Sequence, residues 1–118
     1  MKNKYKKIRE NSKELIRYRK ASIPSNGEQR IINFLQSEAI EFSREHFFKD
    51  LFNRQTRQLL YFDFYIKQFN LCIEFDGEQH FRTKKSQNEQ TNDFLKNAYC
   101  RKNGIHLLRI RHTDLEKY

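Results

Sequence analysis

The sequence predicts a mixed α/β domain, ordered as one helix, three strands, a second helix and a last strand, behind a basic N-terminal arm. Three observations carry this reading. Four short segments rich in aromatic and β-branched residues, 41–48 (EFSREHFF), 59–66 (LLYFDFYI), 71–76 (LCIEFD) and 105–111 (IHLLRIR), have strand character. Two further segments, one before the first strand and one before the last, have helical spacing or helix-ending signals. The 118 residues suffice for one domain with a modest core, in which eleven Phe and six Tyr concentrate the apolar surface.

The elements follow in order. The first twenty residues hold nine Lys or Arg against two Glu, and so carry +7 of the chain's formal +9. Their adjacent apolar pair is Leu15-Ile16, so residues 1–22 are expected to be a disordered arm or a lone helix when free. Such an arm is either a solubilising tail or a clamp on a DNA backbone through Lys4, Lys6, Lys7, Arg17, Arg19 and Lys20. A domain over 23–118 comes next. Pro24 closes the arm, and Ser25-Asn26-Gly27-Glu28 opens a helix with the S-x-x-E capping-box pattern. Ile31, Ile32, Leu35 and Ala39 carry that helix to about residue 39, with Glu28 at the N-terminal end of its buried face. Residues 50–58 read as a polar connection and 82–90 as a polar loop, and Gly77 breaks the third strand. A helix over about 91–102 ends at Asn103-Gly104, a good C-terminal stop.

The charge balance favours a polyanionic partner, with nucleic acid ahead of a membrane surface. No apolar run approaches the roughly 18–20 residues of a spanning helix, and no apolar block follows the basic N-terminus, so neither a membrane span nor a signal peptide is expected. Cys72 and Cys100 form no C-x-x-C pattern, which argues against zinc. They read as buried thiols of an intracellular protein, with a disulfide left open.

Carboxylates sit inside two of the apolar strands. If 67–70 (KQFN) is a four-residue hairpin loop, Ile66 faces Leu71, Phe64 faces Ile73 and Phe62 faces Phe75 on an apolar, core-facing side. The other side pairs Tyr65 with Cys72, Asp63 with Glu74 and Tyr61 with Asp76. Asp63 and Glu74 would then have Cβ atoms about 4.5–5.5 Å apart, with Asp76 two residues along. Carboxylates so close raise one another's pKa unless a cation neutralises them, and an all-oxygen site suits Mg²⁺ or Mn²⁺. The plain alternative is an exposed sheet face whose acids pair with Lys or Arg.

These residues carry a family resemblance. The pieces SNGEQRIINFL, REHFFKDL, FDFYI, LCIEFDGEQHF and NDFLKNAYC-RKNGIHLLRIR resemble the PD-(D/E)XK restriction-endonuclease-like nucleases, near the very-short-patch repair and small phage endonucleases. The resemblance spans Ser25 to about Asp114. It implies a restriction-endonuclease-like core, an intracellular setting that could be the host cytoplasm of a phage or mobile element, and a Mg²⁺- or Mn²⁺-dependent DNA endonuclease leaving 5′-phosphate and 3′-hydroxyl ends. It makes Asp63 the first motif aspartate and Glu74 the (D/E) of the motif, both metal ligands with the Phe75 carbonyl. Asp76 stands where the family usually has lysine; it and Glu28 would complete the metal shell. The missing lysine would come from the second helix as Lys96. The spacing of Asp93, Lys96, Asn97 and Cys100 puts Lys96 on that helix's polar side, away from Leu95, Ala98 and Tyr99. Gln79 and His80 match a D-G-x-Q-H tail, with His80 as acid, base or phosphate contact.

Around this site Gln79, Arg82, Lys84 and Lys85 could reach DNA phosphates, and Tyr61 and Tyr65 a sugar or base. Arg109 and Arg111 line the DNA side or form salt bridges, and His46, His106 and His112 read as structural. With no separate specificity domain, one domain must bind and cut, and a homodimer is one route to a double-strand break. Two other classes compete: a non-catalytic nucleic-acid-binding module that keeps the fold, favoured by Asp76 in the lysine place, and an RNA nuclease.

Overall fold

The computed structural model describes residues 7–10, 14–17, 22–77 and 85–115. The chain forms Lys7–Glu10 (β1), Glu14–Arg17 (β2), Asn26–Ser37 (α1), Ser43–Asn53 (β3), Gln58–Ile66 (β4) and Leu71–Asp76 (β5), then Gln87–Asn103 (α2), His106–Arg111 (β6) and His112–Leu115 (α3). The expected mixed α/β class is the one observed. Its sheet core runs β3-β4-β5-β6, antiparallel at the first two contacts and parallel between β5 and β6, where α2 makes the crossover.

Several boundaries differ from the expectation. The basic arm holds a strand pair rather than a disordered or helical segment: β1 and β2 run antiparallel with Ile8 paired to Ile16, and β2 meets β4 at Arg17 and Gln58. Each strand carries one β-branched residue, Ile8 in β1 and Ile16 in β2, and these are register partners. Strand β3 continues through 50–53 because Leu51 and Asn53 alternate inward and are buried, leaving a turn at 54–57. Asn53 holds that turn, its Oδ1 accepting from the Gln55 and Thr56 N–H groups at 2.9 and 3.1 Å. Helix α1 stops at Ser37, and Ala39 takes a left-handed φ of 55° that ends it. Helix α2 starts at Gln87, four residues earlier than expected, because Ser86 caps it.

Both faces of the sheet are covered. Ile31, Ile32 and Leu35 of α1 pack with Phe64, Ile66 and Ile73 on one face. On the other, Cys100, Leu95 and Tyr99 of α2 pack with Leu60, Phe62 and Cys72. Cys72 and Cys100 are the buried free thiols expected, and burial pushes both thiols up.

The anticipated hairpin register holds at Ile66–Leu71, Tyr65–Cys72 and Phe64–Ile73, where the ladder ends. The three further expected pairs, including Asp63–Glu74, are not part of it. Phe62 packs on the α2 face and Phe64 on the α1 face, although residues two apart on a regular strand share a face. The strand therefore turns over at Asp63. On the other flank, β3 pairs Arg44 with Phe64 and His46 with Phe62 but leaves out Glu45 opposite Asp63, and Glu45 has φ 51°. A matched irregularity in two neighbouring strands thus marks the position of Asp63.

Candidate functional site

Where β4 and β5 part, an open cavity of about 340 Å³ forms between the sheet and the first turns of both helices. Glu28, Tyr61, Asp63, Glu74, Phe75, Asp76, Lys85, Glu89, Asn92, Asp93 and Lys96 line it. Six carboxylates therefore face two ammonium groups, and the balance is negative in an otherwise basic chain.

Asp63 bridges the parted strands: the Phe75 N–H donates to its Oδ2 at 2.7 Å, so the contact here runs from backbone to side chain. Burial first, and then the nearby Glu74 and Glu28 carboxylates, push its pKa up to about 7, against the opposing pull of the Phe75 N–H and Lys96. Glu74 accepts from Lys96 Nζ at 3.0 Å, and both side chains are about seven-eighths buried. The Lys96 ammonium also stands 5.2 Å from the centre of the Phe62 ring. Lys96 is therefore on the sheet-facing side of α2, beside Leu95 and Tyr99 rather than away from them, because α2 lays its 92, 95, 96, 99 and 100 side on the sheet. Lys85 pairs with Asp93 at 2.5 Å, which raises its pKa chiefly through that hydrogen bond.

The helices bring their acids to the site in the same way. The Ser25 N–H donates to Glu28 Oε1 at 2.9 Å while the Glu28 N–H donates to Ser25 Oγ. Ser86 and Glu89 repeat this reciprocal pair at the start of α2, with the Ser86 N–H 2.8 Å from Glu89 Oε1. Each glutamate thus caps its helix and lines the cavity. Gly27 lets α1 approach: a Cβ there would lie 2.1 Å from the Phe75 ring. Asn92 accepts from the buried Asn53 amide at 2.9 Å, which ties α2 to the β3–β4 turn.

Of the residues singled out in the sequence, Glu28, Asp63, Glu74, Phe75, Asp76, Lys85 and Lys96 share this cavity. Lys85 was expected on DNA and instead stands among the acids. Gln79, His80, Arg82 and Lys84, like Lys4, Lys6, Arg19 and Lys20, lie outside the described residues, and Lys7 and Arg17 are placed by backbone in β1 and β2. Asp63, Glu74 and Asp76 converge on the cavity, but among the described residues no group of three or more His, Cys, Asp and Glu is placed to hold a metal ion. Glu89, Asn92, Asp93 and Gly27 were not anticipated as site residues. The signal was present: S86-Q-N-E89 repeats the pattern of S25-N-G-E28, and 89, 92, 93 and 96 have the spacing of one helical face.

A family model matches residues 58–117, just over half of the chain. The chain belongs to DUF5889, a family of unknown function. The DUF5889 match contains β4, β5, α2 and β6, and with them every cavity residue except Glu28. Comparison with curated proteins and with solved structures finds no match. Among the described residues no helix is long and apolar enough to cross a membrane.

Proposed function

We propose that this chain is a divalent-metal-dependent DNA endonuclease whose core is restriction-endonuclease-like and whose site follows the PD-(D/E)XK pattern. One observation carries the reading: Asp63 and Glu74 share a cavity of six carboxylates and two ammonium groups, where burial first, and then the Glu74 and Glu28 carboxylates, push the Asp63 carboxyl up to about 7. Free energy is stored wherever like charges are held together, and a hard cation releases it. The donors fit such an ion, being carboxylates and a backbone carbonyl.

Asp63, Glu74 and the Phe75 carbonyl would hold Mg²⁺ or Mn²⁺, with Glu28 and Asp76 holding its waters. When bound, the ion supplies a water made nucleophilic at neutral pH and a shield for phosphate charge. Lys96 supplies the ammonium that the motif otherwise places at position 76, and it already bonds Glu74. There it orients the attacking water or steadies a phosphate oxygen. The chain as a whole carries +9 despite this acidic cavity, and that net charge attracts the polyanion.

Incubation of plasmid with Mg²⁺ or Mn²⁺ tests the reading. Wild type is expected to nick or linearise it, and Asp63→Ala, Glu74→Ala and Lys96→Ala to fail. Cleavage that survives the first two substitutions would remove the assignment. A second reading, a non-catalytic DNA-binding module, is favoured by the Lys96–Glu74 pair, which neutralises one motif acid internally. Binding without cleavage under either metal would select it.

A further inference from the structure

Beside the acidic cavity lies a groove of opposite character. Asn97, Cys100 and Arg101 of α2, Ile105, and Leu107 and Arg109 of β6 line about 350 Å³ with no carboxylate among them. The two spaces adjoin: Lys96 and Asn97 are consecutive in α2, and Glu74 and Arg109 are register partners in the β5–β6 ladder. The Arg109 Nη2 is buried and has no hydrogen-bond partner among the described residues. A buried guanidinium nitrogen left unbonded is costly; Arg109 also lines the groove, where a guanidinium fork matches phosphate oxygens. Arg101 adds an exposed second cation, and Asn97 an amide donor. On the same outward stripe of α2, three and seven residues before Asn97 and Arg101, Phe94 is 68 % exposed. An exposed aromatic ring on the same helix stripe as a groove that holds two arginines is the composition of a single-strand track, where rings take bases and cations take phosphates.

We infer that the α2–β6 groove holds the backbone of a single DNA strand leaving the acidic cavity, with Arg101 and Arg109 on its phosphates and Phe94 stacked on an unpaired base. This rests on the nuclease reading for the position of the strand, but its test does not need cleavage. The exposed ring decides the occupant: an acidic peptide would match the arginines but leave Phe94 without a base to stack on.

The experiment is fluorescence anisotropy of a short labelled single strand, and of the same strand annealed to its complement, titrated with the full chain in Ca²⁺ at several salt concentrations. Arg101→Ala is expected to weaken single-strand binding roughly fivefold and to lower the salt slope by about 0.7, the loss of one phosphate contact. Arg109→Gln should do the same, and its circular dichroism reports whether the sheet survives. Phe94→Ala should weaken the single strand by a similar factor and leave the duplex unchanged. Lys102→Ala, exposed on α2 but outside the groove, is the control and should match wild type. Wild-type affinity and salt slope in Arg101→Ala would overturn the inference, as would a wild type that binds no strand. A Phe94→Ala protein that binds the single strand as tightly as wild type would overturn the single-strand assignment. Absence of plasmid cleavage by a wild type whose groove variants lose affinity would overturn the nuclease reading and leave the groove standing.

Discussion

The two ends of the β4–β5 pair obey different rules. At the turn end, Phe64, Ile66 and Ile73 are buried, the ladder is regular, and Asn70 secures the corner by accepting from Tyr65 Oη at 2.8 Å and donating to the Gly104 carbonyl at 3.1 Å. At the open end, the ladder stops, a carboxylate takes the Phe75 N–H, and acids gather from both strands and both helices. Apolar burial sets the first end and stabilises it; the second is held open against charge repulsion by that framework. Regular pairing at the open end would seal the space that the cavity occupies.

Substitutions should separate the two ends. The largest effect is expected on activity: Glu74→Ala or Asp63→Ala should lower metal-dependent plasmid cleavage by roughly a thousandfold or more, the order seen when one essential charged group of a site is removed. The measurement is the initial nicking rate, with a melt to show that the fold persists. At the turn end Ile73→Ala should do the converse, costing about 2–5 kcal/mol in urea unfolding through lost burial and a cavity, while the folded fraction keeps its activity.

The cost of burying Asp63 among other acids is itself measurable. Asp63 carries a carboxyl raised from 3.8 to about 7 in the folded chain, so the native state holds this proton more tightly than the unfolded one. Stability is therefore greatest below the unfolded value and is lost as pH rises through about 7, with three pKa units setting a ceiling of about 4 kcal/mol. Without divalent metal, wild type should melt lower at pH 8 than at pH 5. Asp63→Asn should gain roughly 1–3 kcal/mol over wild type at pH 8 and little near pH 4. A wild-type melting temperature that rises from pH 5 to 8 while Asp63→Asn stays below it would contradict this.

Smaller effects test how the helices reach the open end. Gly27→Ala places a methyl 2.1 Å from the Phe75 ring, so the ring or the first turn of α1 must shift. A loss of roughly 1–3 kcal/mol is expected, with a fall in cleavage because Glu28 and Phe75 move. Ser86→Ala removes one half of the second capping box and should cost about 1 kcal/mol, read from thermal unfolding.

The turn end was legible in the sequence because one principle, apolar alternation, governs it. Ile66, Phe64 and Ile73 announce their partners, and the S-x-x-E of α1 announces its start. The open end was half legible. Asp63 and Glu74 stand out as acids in apolar strands, but the turnover at Asp63 needs Glu45 of β3 in a left-handed conformation, which no local pattern of the sequence reveals. Lys96 was identified, yet its side of α2 was not. Charged residues at 93 and 96 make that face read as solvent-facing, whereas the acids of the sheet draw Lys96 inward beside Leu95 and Tyr99. Asn92 and Glu89 fell within or beside a segment read as loop, although Ser86 supplies the cap that makes it helix.

Calorimetric titration of Mn²⁺ into the metal-free chain near pH 7, repeated in buffers of different ionisation enthalpy, bears most directly on the open end. Saturable binding with release of about half a proton is expected in wild type, because a carboxyl titrating near 7 must ionise fully to become a ligand, and both the binding and the proton release should vanish in Asp63→Asn. Absence of binding in wild type, or binding undiminished and equally proton-linked in Asp63→Asn, would show that these acids are gathered for something other than a cation.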